Sequence, residues 1–417
     1  MLNSEILKNI DWRRPFASAY FRSAGTYLVL KLVFFSLAGL VGQYLLTHYL
    51  RKEDYGLLVW AGTIIALLSP FGLPGISTSI TGAVARGYDG NFRRGTWLEI
   101  MGSTLGGLVL LGIAGYYRYW THEETKFLVF LVAGVLGPGL WLDTHICYWN
   151  GKGNFKAIFW WSVPVRLLQL AAIALVFSFS TDPVLVFGVQ TVIQVFANIA
   201  APYGIMRYSN VNRNVSEDFQ IYGNFTNWLY LGGSVSAYLD KLIIGLFFGL
   251  ESLAVFSVGE LVYTYFYKTP ASMLSQIFMP RLAEMELREA ARWVRKRQPY
   301  LVLMIIVLMA ALAIVVPIIY PLMFSSKYKD SIYYCQLFLI CIVLGSPTFL
   351  SGTILKSHAM KNETFKSWLL LTIFPLILLP SFSYFWGLKG LVFARGVTNI
   401  AISSYYIFLI KKLSMSN

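Results

Sequence analysis

Charged side chains are scarce in this chain. Only 13% of its 417 residues are Asp, Glu, Lys or Arg, where a soluble protein carries about 25%. That scarcity excludes an ordinary water-facing enzyme surface. Cysteine is scarcer still: Cys147, Cys335 and Cys341 all lie in apolar runs, with no disulfide framework and no metal-ligand spacing. A Gly-x-x-x-x-Gly-Lys-Ser/Thr loop is also missing, so the chain is not itself an ATP-driven pump. Nothing calls for a cofactor or a metal. The first thirty residues lack the small-residue cleavage pattern that follows a short signal segment. The start reads as an uncleaved cytoplasmic tail with Lys8, Arg13, Arg14 and Arg22.

Hydrocarbon is what the chain has in quantity. Apolar residues make up 57% of it, and they gather into runs near 25–49, 55–84, 96–117, 127–149, 155–179 and 183–206. Six more lie near 225–249, 253–280, 300–324, 332–355, 367–386 and 388–410. At about 20 residues per crossing, twelve crossings take roughly 240 residues. Short loops are left over, and no large water-facing domain. Backbone at membrane depth must satisfy its own hydrogen bonds, and these runs are too long for barrel strands, so they are helices. The expected fold is an all-α integral membrane protein of about 12 transmembrane helices.

The basic residues set the orientation. With the N-terminus cytoplasmic, 22 of the 34 Lys and Arg fall in cytoplasmic segments, 7 on the opposite side and 5 inside spans. That split obeys the positive-inside rule, and the reverse orientation violates it. Both termini are therefore expected in the cytoplasm. The net charge of +14 is explained by loop cations beside anionic lipid headgroups, without nucleic acid. The stretch from Arg281 to Gln298, ending RWVRKRQ, reads as a solvated basic connector; an amphipathic surface segment is the alternative.

The two halves resemble each other at an offset near 200. Glu53-Asp-Tyr-Gly-Leu-Leu-Val-Trp-Ala61 aligns with Glu251-Ser-Leu-Ala-Val-Phe-Ser-Val-Gly259, and Ala85 with Ala283. Val135-Leu-Gly-Pro138 matches Val343-Leu-Gly-Ser-Pro347, Asn154-Phe-Lys156 matches Phe365-Lys366 after Asn362, and Pro164 matches Pro375. An even number of spans in each half makes the repeat parallel, with its axis along the membrane normal. The expected domains are two six-helix lobes, 1–208 and 209–417, around a central cavity. Paired bundles of this kind suggest alternating access; a duplication that merely enlarged a bundle is the alternative.

The stretch YLRKEDYGLLVWAGTIIALLSPFGLPGISTSITGAVARG, residues 49–87, resembles the early region of polysaccharide flippases of the Wzx type. DKLIIGLFFGLESLAVFSVGEL, residues 240–261, resembles their seventh-helix region. Ala254 and Phe256 depart from the Gly and Tyr common there, while Gly56 keeps the glycine in the first half. The resemblance implies membership of the multidrug/oligosaccharidyl-lipid/polysaccharide (MOP) exporter superfamily and a MATE-like fold. It further implies an inner-membrane transporter that moves an undecaprenyl-diphosphate-linked oligosaccharide to the outer leaflet. Implied partners are that lipid-linked cargo, membrane lipids, a proton or sodium counter-ion, and a polysaccharide polymerase or chain-length regulator.

Eight ionisable residues are read within the spans: Lys31, Asp143, Arg166, Asp240, Lys241, Glu260, Lys268 and Arg395. Each costs roughly 2.5–3.5 kcal/mol at a helix centre, so such groups face a bundle interior or a wet cavity. Five cations against three acids suit a diphosphate head group. Arg166, two residues after Pro164 and about eleven into its span, is the leading cargo contact, with Asp143 as an alternative structural partner. Lys268, beside Pro270, follows; Lys31, Arg395 and Lys241 complete the cationic set. Lys31 and Arg395 stand within about two helical turns of an interface and could reach water. Asp240, Glu260 and Asp143 are candidates for ion coupling, or else neutralise neighbouring cations. Adjacent Asp240 and Lys241 point about 100° apart, which argues against a simple mutual pair. His145 reads as a packed or interfacial residue.

Pro70, Gly72 and Pro74 in the second span and Pro270 in the eighth mark hinges that could gate a cavity. Membrane helices are generally rich in both residue types. Two other functions compete with a flippase. A cation-coupled small-molecule exporter of the same superfamily predicts an acid-dominated pocket, whereas these spans are net basic. A membrane glycosyltransferase or polymerase predicts a sizeable catalytic loop, and no such loop is visible.

Overall fold

A computed structural model describes residues 19–415, except 210, 217–218 and 359 and, between 270 and 284, all but Ala271, Ser275, Phe278 and Leu282. Every regular element among them is helical. In the first half, α1 (Ala19–Tyr49), α2 (Lys52–Leu67), α3 (Pro74–Ala85), α4 (Gly90–Tyr116), α5 (Glu124–Val135), α6 (Gly137–Leu140), α7 (Thr144–Gly151), α8 (Phe155–Phe177) and α9 (Pro183–Tyr208) follow one another. The second half holds α10 (Phe219–Phe247), α11 (Leu250–Tyr263), α12 (Leu287–Phe324), α13 (Ser331–Gly345), α14 (Thr348–Ser357) and α15 (Lys361–Met415).

Six of these helices are long and apolar enough to cross a membrane by themselves, and three bent pairs raise the number to nine. Helix α10 covers most of the expected run 225–249, and α11 the first part of that at 253–280. Within α15, Gly387 at φ 59° and ψ −141° divides two arms, 361–386 and 388–415. The arrangement is consistent with twelve crossings. The helices bury little of themselves: in the apolar window of α1 only 11% is covered by protein. Val33, Leu37 and Val41 are left exposed, as side chains facing acyl chains would be. Exposed Tyr119, Trp120, Tyr384, Phe385 and Trp386 sit at helix ends, where aromatic rings favour the interface.

The breaks have local causes. Between α2 and α3 the chain bends by 50° through a 3-10 turn, Ser69–Gly72, with Pro70 in its first turn. Leu73 then takes φ 53°, and Pro74 begins α3, where its missing N–H leaves no intrahelical bond unmade. The fourth span bends by 70° between Val135 and Gly137, and the tenth by 48° between Gly345 and Thr348. Those two bends lie on the repeat match at Val135–Pro138 and Val343–Pro347. The basic stretch differs from the expected connector. From Leu287 it is the first part of α12, because Ala290 and Val294, one helical turn apart on one face, are fully buried against Leu282, Leu350, Ile354 and Ile410.

The halves meet closely. A Cβ on Gly56 of α2 would lie 2.0 Å from the Leu250 carbonyl oxygen of α11, and one on Gly75 of α3 would lie 2.1 Å from the Gly223 carbonyl of α10. Glycine is the side chain that such backbone approach admits. Lys327, in the turn before α13, donates to the carbonyls of His48 and Leu50 at the end of α1.

Candidate functional site

Cations in this bundle fall into two groups with different surroundings. In the first half, α8 is capped by Asn154, whose side chain accepts the Ala157 N–H at 3.1 Å. Its Arg166 then faces α1 and α9. The guanidinium donates to Gln169 Oε1 at 3.3 Å and lies near Gly42 of α1, whose Cβ would be 3.7 Å from it. Gln169 continues the chain to the Gln190 carbonyl at 3.3 Å and Gln194 Oε1 at 3.1 Å. Gln194 donates to Asn198 at 2.9 Å, and Asn198 to the Gly139 carbonyl at 3.0 Å. Gln190, Gln194 and Asn198 recur every four residues and so line one face of α9.

Two cavities open along this amide track. One, of about 220 Å³, is lined by Lys31, His145, Arg166, Gln169, Gln194 and Asn198 among others. Its neighbour, of about 380 Å³, is lined by Gln43, Tyr55, Gln169, Gln190, Thr191 and Gln194, and Gln169 and Gln194 face both. Neither Lys31 nor Arg166 takes part in any ion pair among the described residues. Lys31 instead sits 5.6 Å above the Phe35 ring. From the second half, the Tyr265 hydroxyl lies 2.5 Å from where a Gly39 Cβ would be, and so stands against α1.

The second group is tied to acids. Asp240 of α10 and Glu260 of α11 are buried. Arg395 of α15 donates from Nε to Asp240 at 2.9 Å and lies 3.5 Å from Glu260. Lys241 meets Glu260 at 2.9 Å, and Lys268 meets it at 3.1 Å. A π-helical turn, Thr264–Lys268, follows α11 and carries Lys268, whose side chain is half exposed and stands 5.6 Å over Tyr263. The expectation of five cations in one cavity is thus divided. Lys241 and Arg395 are neutralised by carboxylates, while Lys31 and Arg166 line a cavity without them. The Arg395 side chain is largely buried and turned to Asp240 and Glu260. Asp240 and Lys241 are no side-chain pair, since Asp240 accepts the Lys241 backbone N–H at 2.8 Å and the ammonium goes to Glu260.

Asp143, at the foot of α7, is bonded by Ser77 of α3 at 2.8 Å and makes no ion pair with Arg166. Glu99 of α4, whose Oε1 stands 2.5 Å from the Ser77 hydroxyl oxygen, is absent from the sequence-based set. It stands in an apolar run between Leu98 and Ile100, which was signal enough. The amides of α9 also lie outside that set, although their four-residue spacing on an apolar span is visible in the sequence. His145 is buried beside Trp149, their rings 5.5 Å apart, and lines the smaller cavity. Pro70, Gly72 and Pro74 form the bend between α2 and α3, whereas Pro270 lies outside the described residues.

A family described as polysaccharide biosynthesis protein matches residues 45–333. No curated protein matches the sequence. Among solved structures, the chain is similar to a multidrug resistance MATE family transporter of the MOP superfamily in an inward-facing conformation. There the TM-score is 0.68 at 13% identity, over 94% of this chain and 99% of that one. An outward-facing conformation of such a transporter gives 0.61 at 15% identity, over 93% and 96%. A MOP superfamily transporter from Pyrococcus furiosus, with a binding pocket of reversed polarity taken to suggest a different function, gives 0.60 at 14% identity, over 93% and 96%. At these identities the likeness is one of fold.

Proposed function

The chain belongs to the polysaccharide biosynthesis protein family, and from that membership we propose that it is a flippase rather than an enzyme. Its cargo is a polyprenyl-diphosphate-linked oligosaccharide, undecaprenyl in a bacterial inner membrane, carried from the cytoplasmic to the outer leaflet by alternating access. The observation that carries this reading is the pair Lys31 and Arg166 in a membrane-embedded cavity, without carboxylate partners among the described residues. Intramembrane cations are retained where they have a charge to meet. Guanidinium geometry matches a phosphate through parallel N–H donors. The amides of Gln169, Gln194 and Asn198 present donors and acceptors of the kind sugar hydroxyls bond.

Energetics support a carrier that binds no nucleotide. Outward movement of negative charge gains about 2.3 kcal/mol per charge per 100 mV, hence roughly 5 kcal/mol for two phosphate charges crossing the whole field. Lys268, half exposed at the edge of the acid network, is the second-half cation best placed to join a head group.

The test is surface glycan display in cells carrying Arg166→Ala. Display is lost while the protein level stays normal, and Arg166→Lys restores it only in part because a point charge lacks the planar fork. Unchanged display in the alanine variant removes Arg166 from the cargo site. Export of cationic aromatics with normal glycan would instead favour a small-molecule exporter.

A further inference from the structure

Ser77, Glu99 and Asp143 come together from three segments: α3 just past the 50° bend, α4, and the chain just past the 70° bend. The Ser77 hydroxyl oxygen stands 2.5 Å from Glu99 Oε1 and 2.8 Å from Asp143 Oδ1. A hydroxyl has one hydrogen and can donate to one of the two carboxyls. The other oxygen pair, also at hydrogen-bond distance, needs a hydrogen from elsewhere. Glu99 is 0% exposed, and its Oε2 has no hydrogen-bond partner.

Nothing positive neutralises the pair. Neither acid enters an ion pair among the described residues. From α7 the facing groups are Cys147, whose Sγ is 4.0 Å from Asp143, and His145, whose Nδ1 has no partner and which faces Lys31 of α1. Helix α4 adds Thr96, bonded to Thr144 at 3.0 Å, and the unpartnered hydroxyl of Ser103. From α3 comes Ser77 itself. Two adjacent bare carboxylates in this dry setting would repel each other without compensation. A metal ion is a poor alternative, because the oxygens are already closed to hydrogen-bond distance and no metal-holding group of His, Cys, Asp and Glu exists among the described residues.

We propose that Glu99, Ser77 and Asp143 form a proton-binding site that holds one exchangeable proton between the two carboxyls and sets the position of the two bent helices. Ser77 donates to the ionised acid, and the protonated acid donates to the Ser77 oxygen. On release, that acid's O–H bond breaks and the proton passes to water. The geometry then ties charge to shape. Both bends are seated on α4 one and two turns beyond Glu99: a Cβ on Gly102 would lie 2.2 Å from the Phe71 carbonyl, and one on Gly107 3.0 Å from the Gly137 Cα. Repulsion between the ionised acids therefore acts on the arms of α3 and α7 while their bends stay pinned. The site deepens the flippase reading by supplying its ion step and rests on it for that use. Its test needs no cargo, so failure to hold a proton and failure to carry a glycan are separate results.

Infrared difference spectroscopy on the purified full-length protein in detergent reads the C=O stretch of a protonated carboxyl directly. The band should be present at neutral pH, shift in deuterium oxide and titrate away reversibly in alkaline buffer. It should disappear in Glu99→Gln, in Asp143→Asn or in both, and survive in Asp240→Asn, whose carboxylate is bound to Arg395. Ser77→Ala, which keeps both acids, should retain the band at an altered frequency and serves if an acid variant does not fold. Absence of the band in the wild type overturns the proposal. So does its persistence in both acid variants, or its failure to titrate while the protein stays folded. Replacing choline by sodium at fixed pH should change nothing; loss of the band with sodium would make this a cation site and also overturn the proposal.

Discussion

A cation inside a membrane has two ways to be tolerated, and this chain uses both. Arg395 is held by Asp240 and Glu260; Arg166 has an amide and a cavity. The two arginines should therefore respond oppositely to the same change. Arg395→Leu leaves Asp240 buried without its counter-charge and should cost about 3–5 kcal/mol, seen as a lower thermal midpoint in detergent. Combining it with Asp240→Asn should cost less than the two single changes added, because the partners are coupled. Arg166→Leu removes no ion pair, so its thermal midpoint should equal or exceed the wild type while glycan display is lost. A drop for Arg166→Leu as large as that for Arg395→Leu would assign Arg166 a structural role.

At the scale of the element, bent helices are built where glycine lets a bend sit against a neighbouring segment. Gly72, in the turn before α3, faces Trp141: a Cβ there would fall 2.4 Å from the Trp141 Cβ. Gly72→Ala must displace either the bend before α3 or the chain at Trp141, and should destabilise by about 1–3 kcal/mol. Gly62, in the straight part of α2, has nothing within 4 Å of its Cβ position. Gly62→Ala should be neutral or stabilising by about 0.5–1 kcal/mol, the helix-propensity gain. Thermal unfolding of the two variants side by side checks this, and equal midpoints would mean that the bends are not tightly seated. The bends at Val135–Gly137 and Gly345–Thr348 stand at matching places in the two halves, each on a Val-Leu-Gly closely followed by proline.

For the whole molecule, the distribution of Lys and Arg predicts which ends of the helices face the cytoplasm. In a membrane-impermeant maleimide assay, His122→Cys in the turn before α5 should label in intact cells, and Arg292→Cys in α12 only after permeabilisation. Labelling in the reverse order would invert the topology and with it the direction of transport. Background should be low, since Cys147, Cys335 and Cys341 are buried. Local and periodic properties were legible in the sequence: apolar runs that must be helical, proline and glycine at Pro70, Gly72 and Pro74 where the second span bends, and the internal repeat. These depend on residues within a turn or two of one another, or on solvent, so composition and spacing determine them. Which charges meet does not follow from spacing. Arg395 finds Asp240 across 155 positions, and Ser77 joins Glu99 and Asp143 across 22 and 66. Periodicity tells which face of a helix a side chain occupies, and only the packing of helices decides which face it meets. That packing separated the neutralised cations from Lys31 and Arg166 and brought Glu99 to Asp143.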